Sequence, residues 1–150
     1  MSTIGSYPGS GRIYGLSMTS DESTLYYAAE RGLFSVNLST KKFKHIKLKG
    51  VEIGNLNSVA IDNENQVLYL TDSGPISFKF SSKIVLLSKT NGKIIKYDLK
   101  TKKAEILVEK IAFPNGIVYH QKTKSIIYSE FNRNRIWKYS LKKRKQTILV

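Results

Sequence analysis

The chain has 150 residues, with 25 Lys and Arg against 11 Asp and Glu, and a formal net charge of +14. Its hydrophobic share of 41% is enough to build a core, which excludes general disorder. Because cysteine is absent, a disulfide scaffold, a Cys-ligated metal site and a cysteine nucleophile are excluded. No apolar run approaches the roughly 18 residues of a membrane span, so none is expected. The first residues lack the pattern of a signal peptide, and the compartment stays open.

Three units of similar sequence follow one another along the chain. Each contains short runs rich in β-branched and aromatic residues, and each ends in a lysine-rich turn with a last short run. The runs are 15–18, 25–28 and 33–38 in the first unit, 58–61, 67–70 and 94–99 in the second, and 116–119, 126–128 and 136–141 in the third. Such runs, separated by Asn, Asp, Ser, Gly and Lys, are typical of strands joined by tight turns.

The spacing of the units predicts the architecture. Their first runs begin at Gly15, Ser58 and Gly116, which lie 43 and 58 residues apart because residues 74–92 are inserted in the second unit. Without the insertion the period is about 40 residues, the size of a four-stranded propeller blade. We therefore predict an all-β fold of three consecutive four-stranded β-propeller blades, at about residues 11–50, 51–110 and 111–150, with an inserted loop at 74–92.

Three blades do not close a propeller. Rings of this kind close with roughly four to eight blades, and closure covers the sheet faces. We expect the chain to be part of a larger ring, completed by further blades or, as an alternative, by a second copy. Alone, it is expected to be inactive and prone to aggregate.

The positive charge has a place in this arrangement. Lys41-Lys42, Lys102-Lys103 and Arg144-Lys145 occupy the same turn of each unit, where lysines keep edge strands soluble. The aromatic residues lie mostly inside the strands and are not interleaved with the basic ones. We therefore expect no nucleic-acid partner.

The start of the first strand and the end of the second lie on the same face of a propeller. Six candidate side chains fall there: Tyr14, Asn57 and Asn115 just before the inner strands, and Glu30, Asp72 and Glu130 at the ends of the second strands. Amide and carboxylate oxygens are the ligands that calcium takes. Alternatively, Asn and Asp at such positions bond their own backbone. Two amides are too few for calcium, which takes about six to eight oxygens, so further ligands must come from other blades.

Two further features are weaker functional candidates. Neither His45 nor His120 has a Ser or Asp partner placed for a catalytic triad. Asn37-Leu38-Ser39 is a glycosylation sequon, which is usable only if the chain enters the secretory pathway.

An ordered series of motifs spans roughly residues 11 to 141. These motifs are Gly11-Arg-Ile-Tyr-Gly-Leu16, Gly32-Leu-Phe-Ser-Val-Asn37, Leu68-Tyr-Leu-Thr-Asp-Ser73, Gly92-Lys-Ile-Ile-Lys-Tyr-Asp98, Phe113-Pro-Asn-Gly116 and Ser129-Glu-Phe131. The series resembles the strictosidine synthase-like six-bladed propellers, above all their animal adipocyte plasma membrane-associated branch. The family is related to paraoxonases and gluconolactonases. Its members are typically tethered to membranes of the endoplasmic reticulum or cell surface, or are secreted.

The resemblance implies a calcium ion in the channel, with Asn57 and Asn115 as ligands. The chain departs from the family at Ser58, where relatives commonly have Asp. The inserted loop corresponds to the family's long loop over the channel. Its apolar side chains, among them Phe78, Phe80 and Leu86, are expected to form one wall of a substrate pocket or to pack on a neighbouring blade.

The resemblance favours a hydrolase that acts on small ester or lactone substrates. A non-catalytic scaffold or binding module is the alternative. The amine–aldehyde condensation of the plant enzymes is a third and weaker one, because their catalytic Glu lies in the last blade and does not correspond to Glu130.

Overall fold

The computed structural model describes residues 9–75 and 90–150. This part of the chain forms twelve strands in three antiparallel sheets, each with its strands in sequence order. The first sheet contains β1 (Ile13–Met18), β2 (Thr24–Ala29), β3 (Gly32–Asn37) and β4 (Phe43–Ile46). The second contains β5 (Leu56–Asp62), β6 (Val67–Asp72), β7 (Gly92–Asp98) and β8 (Ala104–Ile111). The third contains β9 (Pro114–His120), β10 (Ser125–Glu130), β11 (Arg135–Ser140) and β12 (Lys145–Ile148).

Two short 3₁₀ helices, Gln121–Thr123 and Phe131–Arg133, connect strands of the third sheet. The predicted all-β fold of three consecutive four-stranded blades is confirmed.

The second sheet is buried on both faces. The first core joins it to the first sheet, where Ala28 and Leu33 pack in one cluster with Leu70 and Ile95. The second core joins it to the third sheet, and Tyr69 belongs to that cluster. This explains the unbroken apolar run 67–70, since a strand covered on both faces does not alternate apolar and polar residues.

The lysine-rich turns repeat in backbone conformation as well as in sequence. Lys41, Lys102 and Arg144 adopt left-handed φ values of 56°, 60° and 49°. In the first two turns, the side chain of Asn37 or Asp98 accepts the backbone N–H of the residue three positions later, at 2.8 Å in both. Such a bond satisfies the backbone in a tight turn.

The innermost strands begin two residues earlier than the sequence predicts. They start at Ile13, Leu56 and Pro114 and continue through a register shift in each sheet. The unpaired residue of the shift is Tyr14 in the first sheet and Asn57 in the second, and it falls within 115–116 in the third. A β-bulge thus replaces the predicted strand start, because two residues of one strand oppose one of its partner.

Candidate functional site: the inner strand bulges

The three bulges place Tyr14, Asn57 and Asn115 at equivalent positions of neighbouring inner strands. β1 contacts β5, and β5 contacts β9, so the three bulges lie on adjacent inner strands. Bulges commonly re-aim a side chain next to a functional site, because they bend the strand and leave one residue outside the pairing ladder.

A chain of hydrogen bonds connects Asn57 to the inner strand of the third sheet. Its Nδ2 donates to Oγ of Ser73 at 3.4 Å, and that hydroxyl donates to the carbonyl oxygen of Pro114 at 2.9 Å. Oγ1 of Thr71 donates to the carbonyl oxygen of Asn115 at 2.5 Å. Because Thr71 and Ser73 are buried, these bonds hold the two bulges in fixed relation.

The amide oxygens of both asparagines remain available as acceptors. Within the described residues, Oδ1 of Asn57 accepts no hydrogen bond, and the side chain of Asn115 forms none. Both residues are half-buried. The two amide oxygens can therefore serve as ligands to a cation or as acceptors for a substrate donor.

The first bulge carries a phenol instead of an amide. Burial raises the pKa of Tyr14, and the negative charge of Glu30 raises it further. The phenol therefore stays protonated at neutral pH and offers a hydroxyl group.

Both carboxylate oxygens of Asp72 accept hydrogen bonds from backbone N–H groups. Its Oδ1 accepts the N–H groups of Asn55 and Gly74 at 2.9 and 2.8 Å, and its Oδ2 accepts that of Gly54 at 2.9 Å. Nζ of Lys93 lies 3.7 Å from Oδ2. The side chain thus fastens the segment that leads into β5 to the end of β6.

Glu130 has the same relation to its own sheet. Its Oε1 accepts the N–H of Ala112 at 2.9 Å, and its Oε2 accepts the indole N–H of Trp137 at 2.9 Å. A guanidinium nitrogen of Arg133 lies 3.5 Å from Oε1. Glu130 is 2% exposed, so the hydrogen bonds compensate for taking a charge out of water.

Glu30 repeats this bond in a weaker form at the surface. Its Oε2 accepts the N–H of Arg12 at 3.4 Å. In all three sheets, a carboxylate at the end of the second strand, or directly after it in the first sheet, accepts the amide N–H of the residue 18 positions earlier. We call this interaction the carboxylate clasp. The described residues contain no group of three or more His, Cys, Asp or Glu able to hold a metal ion.

Four candidates remain, and of these only Asn37 is among the described residues. Phe78, Phe80 and Leu86 lie outside the described residues. Asn37 ends β3, and its Oδ1 accepts hydrogen bonds from the backbone N–H and the hydroxyl of Thr40 in the first lysine-rich turn. Thr71 and Ser73, which connect the second and third sheets, are not among the residues predicted from the sequence. The available signal is a polar triplet, Thr71-Asp72-Ser73, directly after the apolar run 67–70.

Both histidines have local packing roles. The His45 ring stacks on Phe34 with centroids 4.6 Å apart, and His120 forms a hydrogen bond with Thr123 at 2.6 Å. The helices among the described residues are 3₁₀ helices of three residues each, too short to span a membrane.

Three stacked four-stranded meanders with their first strands side by side define the chain as β-propeller structure. The strictosidine synthase family profile matches residues 57–144, and the chain belongs to that family. The match covers both asparagine bulges and the third carboxylate clasp, and it includes Asp72 of the second.

Relatives of the chain come from animals and plants. It is 28% identical to adipocyte plasma membrane-associated protein of Danio rerio over 75% of this chain and 29% of that protein. It is 34% identical to strictosidine synthase-like protein 3 of Arabidopsis thaliana over 88% of this chain and 35% of that protein. The chain thus spans about a third of the length of these relatives.

Solved structures support the fold alone. A chain of a nidogen/laminin complex superposes with a TM-score of 0.73 at 16% identity, over 94% of this chain and 49% of that chain. TolB from Acinetobacter baumannii superposes with a TM-score of 0.66 at 16% identity, over 93% of this chain and 32% of that chain.

Proposed function

We propose that this chain supplies part of the channel mouth of a hydrolase that acts on esters or lactones, with Asn57 and Asn115 as two ligands of a calcium ion. The observation that carries the proposal is the bond from Nδ2 of Asn57 to Ser73, and from Ser73 to the strand that bears Asn115. It engages the amide nitrogen and leaves the amide oxygen for a ligand role.

The donor chemistry fits calcium in part. Amide oxygens are hard ligands of the kind that calcium binds, but the ion takes about six to eight of them. Because Asp72 and Glu130 are engaged by backbone and indole N–H groups, the described residues offer two neutral ligands at the bulges. The acidic ligands must then come from outside the described residues. Bound calcium supplies Lewis-acid polarisation of a substrate carbonyl.

The residues of this chain have distinct tasks under the proposal. Asn57 and Asn115 bind the ion through their side-chain oxygens. Ser73 is a positioning residue, because it fixes the orientation of the Asn57 amide. The neutral phenol of Tyr14 can donate a hydrogen bond to a polar group of the substrate.

A non-catalytic binding module is the second candidate. The observation that favours it is the use of Asp72 and Glu130 as structural acceptors, because a carboxylate in that role is withdrawn from acid–base catalysis.

The test uses the gene product as the source cell makes it, with phenyl acetate and a γ-lactone as substrates. We expect calcium-dependent hydrolysis and calcium binding by calorimetry. Asn57→Ala and Asn115→Ala should each lower calcium affinity at least tenfold, about the effect of losing one ligand interaction of 1.4 kcal/mol. Asn63→Ala, in the β5–β6 turn at the other end of the second sheet, is the matched control and should bind calcium normally.

Two results would count against the proposal. Calcium binding without hydrolysis of either substrate favours the binding module. Calcium binding that survives both asparagine substitutions removes the proposed site.

A further inference from the structure

A cleft opens between the outer parts of the first and second sheets. It has a volume of about 380 Å³. Its lining in the described part of the chain contains no acidic residue. It includes four lysines and two tyrosines, which are Lys44, Lys47, Lys49, Lys102, Tyr26 and Tyr97.

The lysines converge from two sheets. Lys44 lies on β4, Lys47 and Lys49 follow that strand, and Lys102 lies in the β7–β8 turn of the second sheet. All four are exposed, and none of them forms a salt bridge within the described residues. Like charges held around one concave surface raise the local positive potential, so the cleft attracts anions.

The neighbouring cleft, between the second and third sheets, is different. Asp62, Asp98 and Glu105 lie among its basic residues. There, Lys96 pairs with Glu105 at 2.8 Å. The net charge of the chain is therefore not spread evenly over the clefts between sheets. It is left uncompensated in the first cleft.

The floor of the first cleft adds neutral donors. Tyr26 and Tyr97 pack against the first core from opposite sheets, and neither hydroxyl has a hydrogen-bond partner among the described residues. Burial raises the pKa of both phenols, so both keep their protons at neutral pH. Two hydroxyl donors thus lie beneath a rim of ammonium groups.

We propose that this cleft binds a small ligand with two or more phosphate or sulfate groups. The lysine ammonium groups contact the oxyanions as point charges, and the tyrosine hydroxyls donate to the same groups. The inference is independent of the proposed hydrolase function, because the cleft shares no residue with the asparagine bulges.

The experiment titrates the gene product as the source cell makes it with two probes, inorganic tripolyphosphate and a heparin-derived sulfated disaccharide, by calorimetry at low salt. One variant combines Lys44→Gln, Lys47→Gln and Lys49→Gln. The matched control combines Lys110→Gln, Lys122→Gln and Lys142→Gln, which removes the same charge at exposed positions away from this cleft. Circular dichroism verifies that both variants keep the β fold.

We expect at least one probe to bind with one ligand per chain, and the cleft variant to lose about tenfold or more in affinity. The control should change by less than about threefold, since remote charges are screened. The tighter probe then identifies phosphate or sulfate as the natural group. Equal losses in the two variants, or no binding of either probe, would overturn the proposal.

Tyr97→Phe separates a shaped site from a diffuse charge effect. The substitution removes one hydroxyl and no charge, so it should weaken binding of the tighter probe severalfold. An unchanged affinity would mean that the cleft floor does not take part and that the lysines act as an unspecific surface.

Discussion

The indole N–H of Trp137 donates to Oε2 of Glu130 at 2.9 Å, while Oε1 of the same carboxylate accepts the amide of Ala112. Both carboxylate oxygens of Glu130 thus face N–H donors. The third sheet thereby ties its second strand both to its third strand and to the segment before its first.

Glu130→Gln is expected to destabilise the chain by about 1–3 kcal/mol. An amide has one acceptor oxygen, so its NH₂ group must face either the Ala112 amide or the Trp137 indole, and one buried donor loses its partner. Urea unfolding followed by tryptophan emission measures the effect, because Trp137 is the only tryptophan in the chain. Glu30→Gln is the control: its clasp is exposed and long, so little change is expected. Equal effects of the two substitutions would contradict the structural role of Glu130.

Gly15→Ala is expected to lower the stability of the chain by about 1–3 kcal/mol, because it overpacks the contact between the first two sheets. A Cβ atom at Gly15 would lie 2.7 Å from Cα of Ser58, and backbone cannot move aside as a flexible side chain can. Gly116→Ala is the matched control at the equivalent position of the third sheet, where the nearest atom to such a Cβ would be 3.8 Å away. Thermal unfolding of the two variants should differ, with Gly116→Ala close to the parent chain.

Asp62 makes stability depend on acid pH. Burial alone would raise the pKa of its carboxyl, but hydrogen bonds from the backbone N–H and the side-chain amide of Asn65, together with the charge of Lys124, lower it below its usual value. Its contribution is present above the unfolded-state value and is lost as pH falls through the lower folded-state value.

We therefore expect Asp62→Asn to reduce the loss of stability as the pH falls below about 4. Urea unfolding across this range measures the slope. Glu109→Gln, which removes an exposed carboxylate, should leave more of the slope in place. Parallel curves for the parent chain and Asp62→Asn would show that this carboxyl does not contribute.

Ser73→Ala tests the connection between the asparagine bulges. It removes the donor to the Pro114 carbonyl and the partner of the Asn57 amide, so we expect a stability loss of about 1 kcal/mol. Under the proposed function it also lowers the calcium affinity of the natural gene product, although Ser73 is not a ligand. Ser20→Ala, at an exposed position, is the control. Normal calcium affinity in Ser73→Ala would mean that the serine does not position Asn57.

The repeat carries most of the information about the fold. Runs such as 67–70 and 94–99 identify strands because their composition and spacing repeat, and the sheets follow from the period. The first residues of the inner strands were harder to predict from the sequence. A bulge at Tyr14 or Asn57 interrupts pairing without interrupting the strand, and no local sequence rule marks it.

The positions of two strand-end carboxylates were predictable from the sequence, and the contacts they make were not. The sequence places Asp72 and Glu130 at the ends of second strands, which the structure reproduces. Whether a carboxylate turns toward the channel or back to its own backbone depends on the path of a segment 18 residues away. Propensity and periodicity carry no information about such a contact.

The carboxylate clasp also has a consequence for how the chain reaches its structure. Each clasp closes within one sheet over 18 residues, whereas the bonds from Thr71 and Ser73 to the third sheet span 44 and 41 residues. Because short loops cost less entropy to close, each sheet can form before it packs against its neighbour. Each sheet is thus a unit stabilised by its own clasp. Such a unit can be gained by duplication or lost by deletion without the need for a new stabilising contact.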